Sequence, residues 1–104
     1  MHEATGILEV YGVTTAFVAC DAGCKAADVR VENFDKNKPA DPTGLPVPVI
    51  VVVKFRGSVS AVRAAMEAAE LAAKQVSGVV SSHIIASPTE DTEKMLKISG
   101  FDKT

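Results

Sequence analysis

Tryptophan is absent from the 104 residues, and tyrosine occurs once and phenylalanine four times. Base-stacking platforms for nucleic acid are therefore poorly supplied. Basic residues number 11 against 13 acidic, neither sign forms a run, and the net charge is -2, so the clustered Lys and Arg that grip a phosphate backbone are missing as well. No apolar run approaches the ~20 residues of a membrane span. The start, MHEATG, lacks the basic-then-apolar order of a secretion signal, and the chain reads as cytosolic. Histidine occurs only at His2 and His83, and the two cysteines, Cys20 and Cys24, lie four apart in a helical pattern. Zinc or iron–sulfur chemistry would lack further ligands, so no metal site is expected and the cysteines read as small apolar residues. No GxGxxG or Walker pattern occurs, so no phosphate cradle and no cofactor is expected.

What is present centres on Val47 to Val76. VPVIVVVKF is β-branched over a strand-like length, Arg56-Gly57 breaks it, and a long Ala-rich helix follows. In that helix Val62, Met66, Ala69, Ala73 and Val76 recur at helical spacing, with Arg63, Glu67, Glu70 and Lys74 on the opposite stripe. So much alanine lets the helix approach a sheet or neighbour closely while burying little area per residue. That suits a thin domain that gains core by association.

Around this centre, Ala4 to Tyr11 reads as a strand and Val13 to Ala27 as a helix with an apolar stripe at Val13, Phe17, Cys20, Cys24 and Ala27. Asp28 to Phe34 alternates as a strand, with Val29 and Val31 on one side and Arg30 and Glu32 on the other. Asn37 to Pro46 carries three prolines and a glycine and reads as a long loop, of the kind usually functional or disordered. VVSSHII forms a last strand, and SPTEDTEKMLKI a last helix, with Ser87 as N-cap, Pro88 at its first position and Glu90 closing a capping box. The segment 98–104 is expected to fray. One domain over 1–104, its core about 4–97, should therefore be α+β: a ferredoxin-like four-stranded antiparallel sheet with helices on one face. No catalytic constellation is visible. Ser81 and His83 share a strand face, but no third group is identifiable to orient the imidazole, and a structural or interface histidine is the expectation.

Four blocks resemble the hexameric shell proteins of bacterial microcompartments, the BMC-domain family: TGILEVYGVTTAFVACDAGCKAAD, VIVVVKFRGSVSAVRAAMEAA, VVSSHIIASP and TEDTEKML. Gly6 and Glu9 match a G-x-x-E strand. Asp21, Ala22, Lys25, Ala26 and Ala27 match a D-A-x-x-K-A-A helix end, and Arg56, Gly57, Val59, Ala61, Val62, Ala64 and Ala65 match R-G-D-V-x-A-V-x-A-A. Ser58 stands where the motif has Asp, and both are good N-caps. The resemblance implies a non-permuted BMC domain that is no enzyme. Six copies would form a disc with a central pore for small metabolites, and discs would tile with other shell proteins into a shell in the bacterial cytoplasm, around encapsulated enzymes. It further implies that Lys25, Asp28 and Ser87 lie at the hexamer edge. Where the family often has P-R-P-H, this chain has Ala86, Ser87, Pro88 and Thr89. The 37–48 stretch replaces a short pore turn, and Thr43, Gly44, Leu45 and Pro46 are the expected pore lining. The competing class is a small-ligand regulatory module resembling trimeric PII-like proteins, whose long loop closes on a ligand.

Overall fold

A computed structural model of the chain describes residues 3–37 and 49–102. Four strands, β1 (Ala4–Tyr11), β2 (Arg30–Asn37), β3 (Ile50–Gly57) and β4 (Val79–Ile85), form one antiparallel sheet in the order β2-β3-β1-β4. Helices α1 (Val13–Ala26) and α2 (Val59–Val76) follow β1 and β3, and α3 (Glu90–Leu96) follows β4. This is the expected α+β sheet, but the expectation of helices on one face holds only for α1 and α2, because α3 is tied through Glu93 and Leu96 to Lys54 and Arg56 on the other face.

Alternation along β1 and β3 divides the sheet into two faces. Leu8, Val10, Val51, Val53 and Phe55 point to one, where they are fully buried with Val62, Ala65, Met66 and Ala69 of α2 and Ala16 and Ala19 of α1. Small residues set how near the helices come. A Cβ on Gly23 of α1 would stand 2.6 Å from the Phe55 ring, and one on Gly6 of β1 would stand 2.7 Å from the Met66 side chain. Ser58 caps α2 through its Oγ, which accepts from Ala61 N–H at 3.1 Å.

Lys54 and Arg56 lie on the opposite face, beneath α3. The Lys54 ammonium is buried and donates to the carbonyls of Leu96 at 3.0 Å and Ile98 at 2.8 Å. The Arg56 guanidinium donates to both carboxylate oxygens of Glu93, at 2.8 and 2.6 Å, to Glu32 at 3.2 Å, and to the Ala4 and Glu3 carbonyls at 3.3 Å each. Hydrogen bonding to Glu93 raises its pKa above the ordinary guanidinium value, against the effect of burial. Glu32 reaches Arg56 from the face it shares with Arg30, and a bulge between Val31 and Asn33 then re-faces the strand: Val31 pairs with Phe55 and Phe34 with Val53 on the core face, while Asn33 pairs with Lys54 and donates to Leu96 O at 2.9 Å.

Three local expectations are corrected. α3 is capped by Thr89, whose Oγ1 accepts from Thr92 N–H at 3.3 Å, and Ser87 lies in a bend two residues earlier, so the Ser87–Glu90 capping box does not form. Buried Pro88 belongs to the chain leading into the helix rather than to its first turn. The tail docks as far as Asp102 instead of fraying at Ile98: Ser99 Oγ donates to Phe34 O, and Gly100 N–H donates to Asp35 Oδ1 at 2.8 Å before a 3-10 turn at Gly100–Asp102. On α1 the buried residues are Thr15, Ala16, Ala19 and Gly23, while Val13, Phe17 and Cys24 of the larger apolar stripe stay exposed. Only small side chains fit where α1 meets α2 and the sheet, so the bulky stripe is turned to the side.

Candidate functional site

The pairing register sorts the strand ends into two groups. At one end Asn37 pairs with Ile50, Ile50 with Tyr11 and Val10 with Val79, and Gly12 N–H donates to Val49 O at 3.0 Å. Asn37 and Val49, the described residues on either side of 38–48, both belong to this end; the pore candidates Thr43, Gly44, Leu45 and Pro46 lie outside the described residues. At the other end Arg30 pairs with Arg56, Ala4 with Gly57 and Thr5 with Ile85. The six steps of β3 from Ile50 to Arg56 separate the two ends by about 20 Å.

The residues named for the hexamer edge belong to this second end. Asp28 precedes β2, its carbonyl lying 3.2 Å from where a Cβ on Gly57 would stand, and Ser87 is exposed just beyond β4. Asp28, Arg30, Gly57, Ser58 and Glu3 line a shallow cavity of about 310 Å³. Arg30 Nη2 bonds Glu3 Oε1 at 2.5 Å across it. Lys25, on the last turn of α1, is highly exposed and pairs with Asp21 Oδ2 at 2.7 Å, an interaction that raises the ammonium pKa. In this position it is held by its own helix and still open to a neighbour.

β2 and β4 each have one paired side within the sheet, so their outer edges flank it on either side. Beside β2 runs the stripe displaced from the α1 core face. Phe17, 60% exposed, meets Phe34 edge to face at 5.1 Å between centroids. Val13, Phe17, Phe34 and Phe101 line a mainly apolar groove of about 380 Å³. Lys36 Nζ stands 5.3 Å from the Phe101 ring centre. Asp35 anchors this tail. Burial opposes its ionisation, but the Gly100 and Lys36 N–H groups and the Lys54 ammonium outweigh it and hold its carboxyl below the usual range. Beside β4, Val80 is the extra residue at a bulge and is 39% exposed, and Ser81, Ser82 and His83 are exposed.

Lys54 and the docked tail were not singled out from sequence, and Arg56 was read as a strand break and a motif residue although it lies inside β3; the alternation of Val53 and Phe55 with Lys54 and Arg56 carried the signal. Ser81 and His83 do share a face, but Ser81 Oγ donates to Glu9 Oε1 at 2.5 Å rather than joining the imidazole. Among the described residues no three His, Cys, Asp or Glu side chains converge on a common point, and no helix is long and apolar enough to cross a membrane.

Known proteins share this frame. The family model "BMC domain" matches residues 4–88. The microcompartment shell protein PduA of Citrobacter freundii is 37% identical over 95 residues, covering 91% of this chain and 92% of its own. The carboxysome shell protein CcmK2 of Thermosynechococcus vestitus is 39% identical over 100 residues, covering 94% and 89%. A solved microcompartment protein from Desulfitobacterium hafniense superposes with a TM-score of 0.69 at 22% identity; the match covers 95% of this chain and about half (49%) of that one, and shows the common fold.

Proposed function

The chain belongs to the BMC-domain family of bacterial microcompartment shell proteins, and from that premise we propose that it is a structural tile whose six copies close into a ring around a pore. The observation that carries this reading is the division of the sheet into ends and flanks. The 37–48 segment leaves from one strand end and Lys25, Asp28 and Ser87 stand near the other, so a ring with its axis at the first end would present the second at its rim. The flanks then face neighbours within the ring, and the rim faces the next ring.

In this arrangement Thr43, Gly44, Leu45 and Pro46 line the opening, where every residue choice is repeated six times. Lysines close to the axis would repel one another unless an anion were bound. The lining therefore favours a hydroxyl and backbone groups, and the passing species are small polar metabolites. Lys25 serves the rim: its stem lies along the adjoining tile and its ammonium donates to backbone carbonyls there. Other shell proteins share the wall, enzymes lie inside it, and the tile works within the shell in the bacterial cytoplasm.

Sedimentation and electron microscopy test this together. The expected result is a species six times the 10.9 kDa of one chain, with hexagonal sheets or tubes at high concentration. A stable three-subunit species would instead favour a ligand-sensing module, and a monomer or dimer across micromolar concentrations would remove the basis for a shell. Gly44→Trp is expected to slow metabolite passage through assembled shells without altering the ring, and unchanged permeation would separate this loop from the pore.

A further inference from the structure

Cys20 and Cys24 stand one turn apart on α1, and the packing of that helix puts both thiols on one stripe. Ala19 and Gly23, the residues just before them, are buried, and Gly23 is held close to the Phe55 ring. A step of ~100° round the helix carries each cysteine from that buried face to its margin, where Cys20 is half-buried against the core and Cys24 is exposed. The two sulfurs act on each other. Burial first, then the charge of Cys24 and a hydrogen bond with it, and last Asp21, push the Cys20 thiol up to about 11. Two neighbouring thiolates repel, and a proton or a cation between them relieves the repulsion.

Spacing decides between the two reactions open to such a pair. Side chains at i and i+4 of a helix have Cβ atoms ~5–6 Å apart, whereas a disulfide needs ~3.5–4.5 Å, so oxidation would unwind the last turn of α1. Two metal–thiolate bonds of roughly 2.3 Å bridge the longer gap and leave the backbone undisturbed. We propose that Cys20 and Cys24 form a two-coordinate site for a soft monovalent cation of the copper(I) class, the ion lying between the two sulfurs. Thiolates select such an ion by their softness. Zinc and iron–sulfur clusters need four protein ligands, and among the described residues no third His, Cys, Asp or Glu joins the pair. That shortage rules against four-ligand centres and leaves a two-ligand ion untouched. Binding breaks both S–H bonds, forms two metal–sulfur bonds and releases both protons to solvent, with no change of oxidation state. The product carries one negative charge on the turn that also holds Lys25 and its partner Asp21. The site belongs to a single chain and does not rest on the ring reading above.

Anaerobic titration of the reduced full chain with copper(I), supplied as its acetonitrile complex against a chromogenic copper(I) chelator, tests the site. Wild type should bind one ion per chain and develop thiolate-to-copper absorption in the ultraviolet. Cys24→Ala should bind roughly 100-fold more weakly, because one helix presents the second thiolate at a high effective concentration. Cys24→Ala combined with Ala26→Cys keeps two thiols but places them on different faces of α1, and should be as weak as Cys24→Ala alone. Cys24 and Ala26 are exposed, so both variants should keep the wild-type circular dichroism spectrum. Wild-type affinity within threefold of that of Cys24→Ala overturns the site, and so does full affinity in the relocated pair. Zinc(II) bound as tightly as copper(I) overturns the choice of ion. A Cys20–Cys24 disulfide formed within one chain under mild oxidation, with helix content unchanged, overturns the spacing on which the site depends.

Discussion

Arg56→Met tests whether the guanidinium is the tie that holds α3 to the sheet. Arg56 is 2% exposed and meets two carboxylates and two carbonyls; methionine keeps much of the volume and none of the donors. Removing one partner of a buried ion pair commonly costs ~3–5 kcal/mol. Here the side chains of Glu93 and Glu32 retain 27% and 18% exposure, so water recovers part of their solvation and the lower figure, about 3 kcal/mol, is expected. Two carboxylates left facing each other keep the loss from falling far below that. α3 has seven residues, too few to persist alone, so the loss should concentrate there. Amide exchange from Glu93 to Leu96 should therefore speed up by roughly 100-fold, while β1 and β3 amides change far less. Arg56→Lys should recover less than half of the loss, because an ammonium cannot bond both Glu93 oxygens in the forked geometry. Exchange in α3 within threefold of wild type in the Met variant would refute this role for Arg56.

Gly23→Ala should destabilise by ~2–3 kcal/mol in urea titrations, since the new Cβ meets the rigid Phe55 ring at 2.6 Å and the Ala65 carbonyl at 3.2 Å. Gly6→Ala, whose nearest neighbour is the flexible Met66 chain, should cost less than Gly23→Ala, and the reverse order would contradict the packing described. The Asp35 carboxyl has a pKa depressed by folding, so its contribution is present above the unfolded carboxylate value and fades as pH falls through the lower folded value. Exchange at Gly100 and Phe101 should accordingly rise on acidification below about pH 4. In Asp35→Asn it should be fast at neutral pH and flat across that range; a wild-type pH profile retained in the variant would assign the effect to another group. Lys25→Ala should leave the ring mass unchanged and abolish sheets under the microscope, and sheets of normal extent would show that the lysine is not at the rim.

Period and punctuation by themselves determined the order of elements. Alternation in β1, the β-branched run of β3, the Ser58 cap and the helical spacing of α2 are local properties, so strand and helix identities and the α+β class were legible without the fold. The R-G and D-A-x-x-K-A-A patterns pointed to the family for the same reason, since a motif is a property of neighbours in the chain. Tertiary structure decided what lay between neighbours in space. A heptad-like stripe on α1 looked like core, yet the closeness of α2 and the sheet admitted only Thr15, Ala16, Ala19 and Gly23, and sent Phe17 to the flank. The β2 bulge exchanged the faces of half a strand, which no periodicity announces, and so turned Phe34 to the core face and Asn33 toward Lys54 and the Leu96 carbonyl. The tail carried few helix signals and read as frayed because its anchors, Asp35, Lys54 and the Phe34 carbonyl, are over 40 residues away in sequence. Burial and hydrogen bonding across such separations depend on how the whole chain closes, and that part of the molecule is written only in three dimensions.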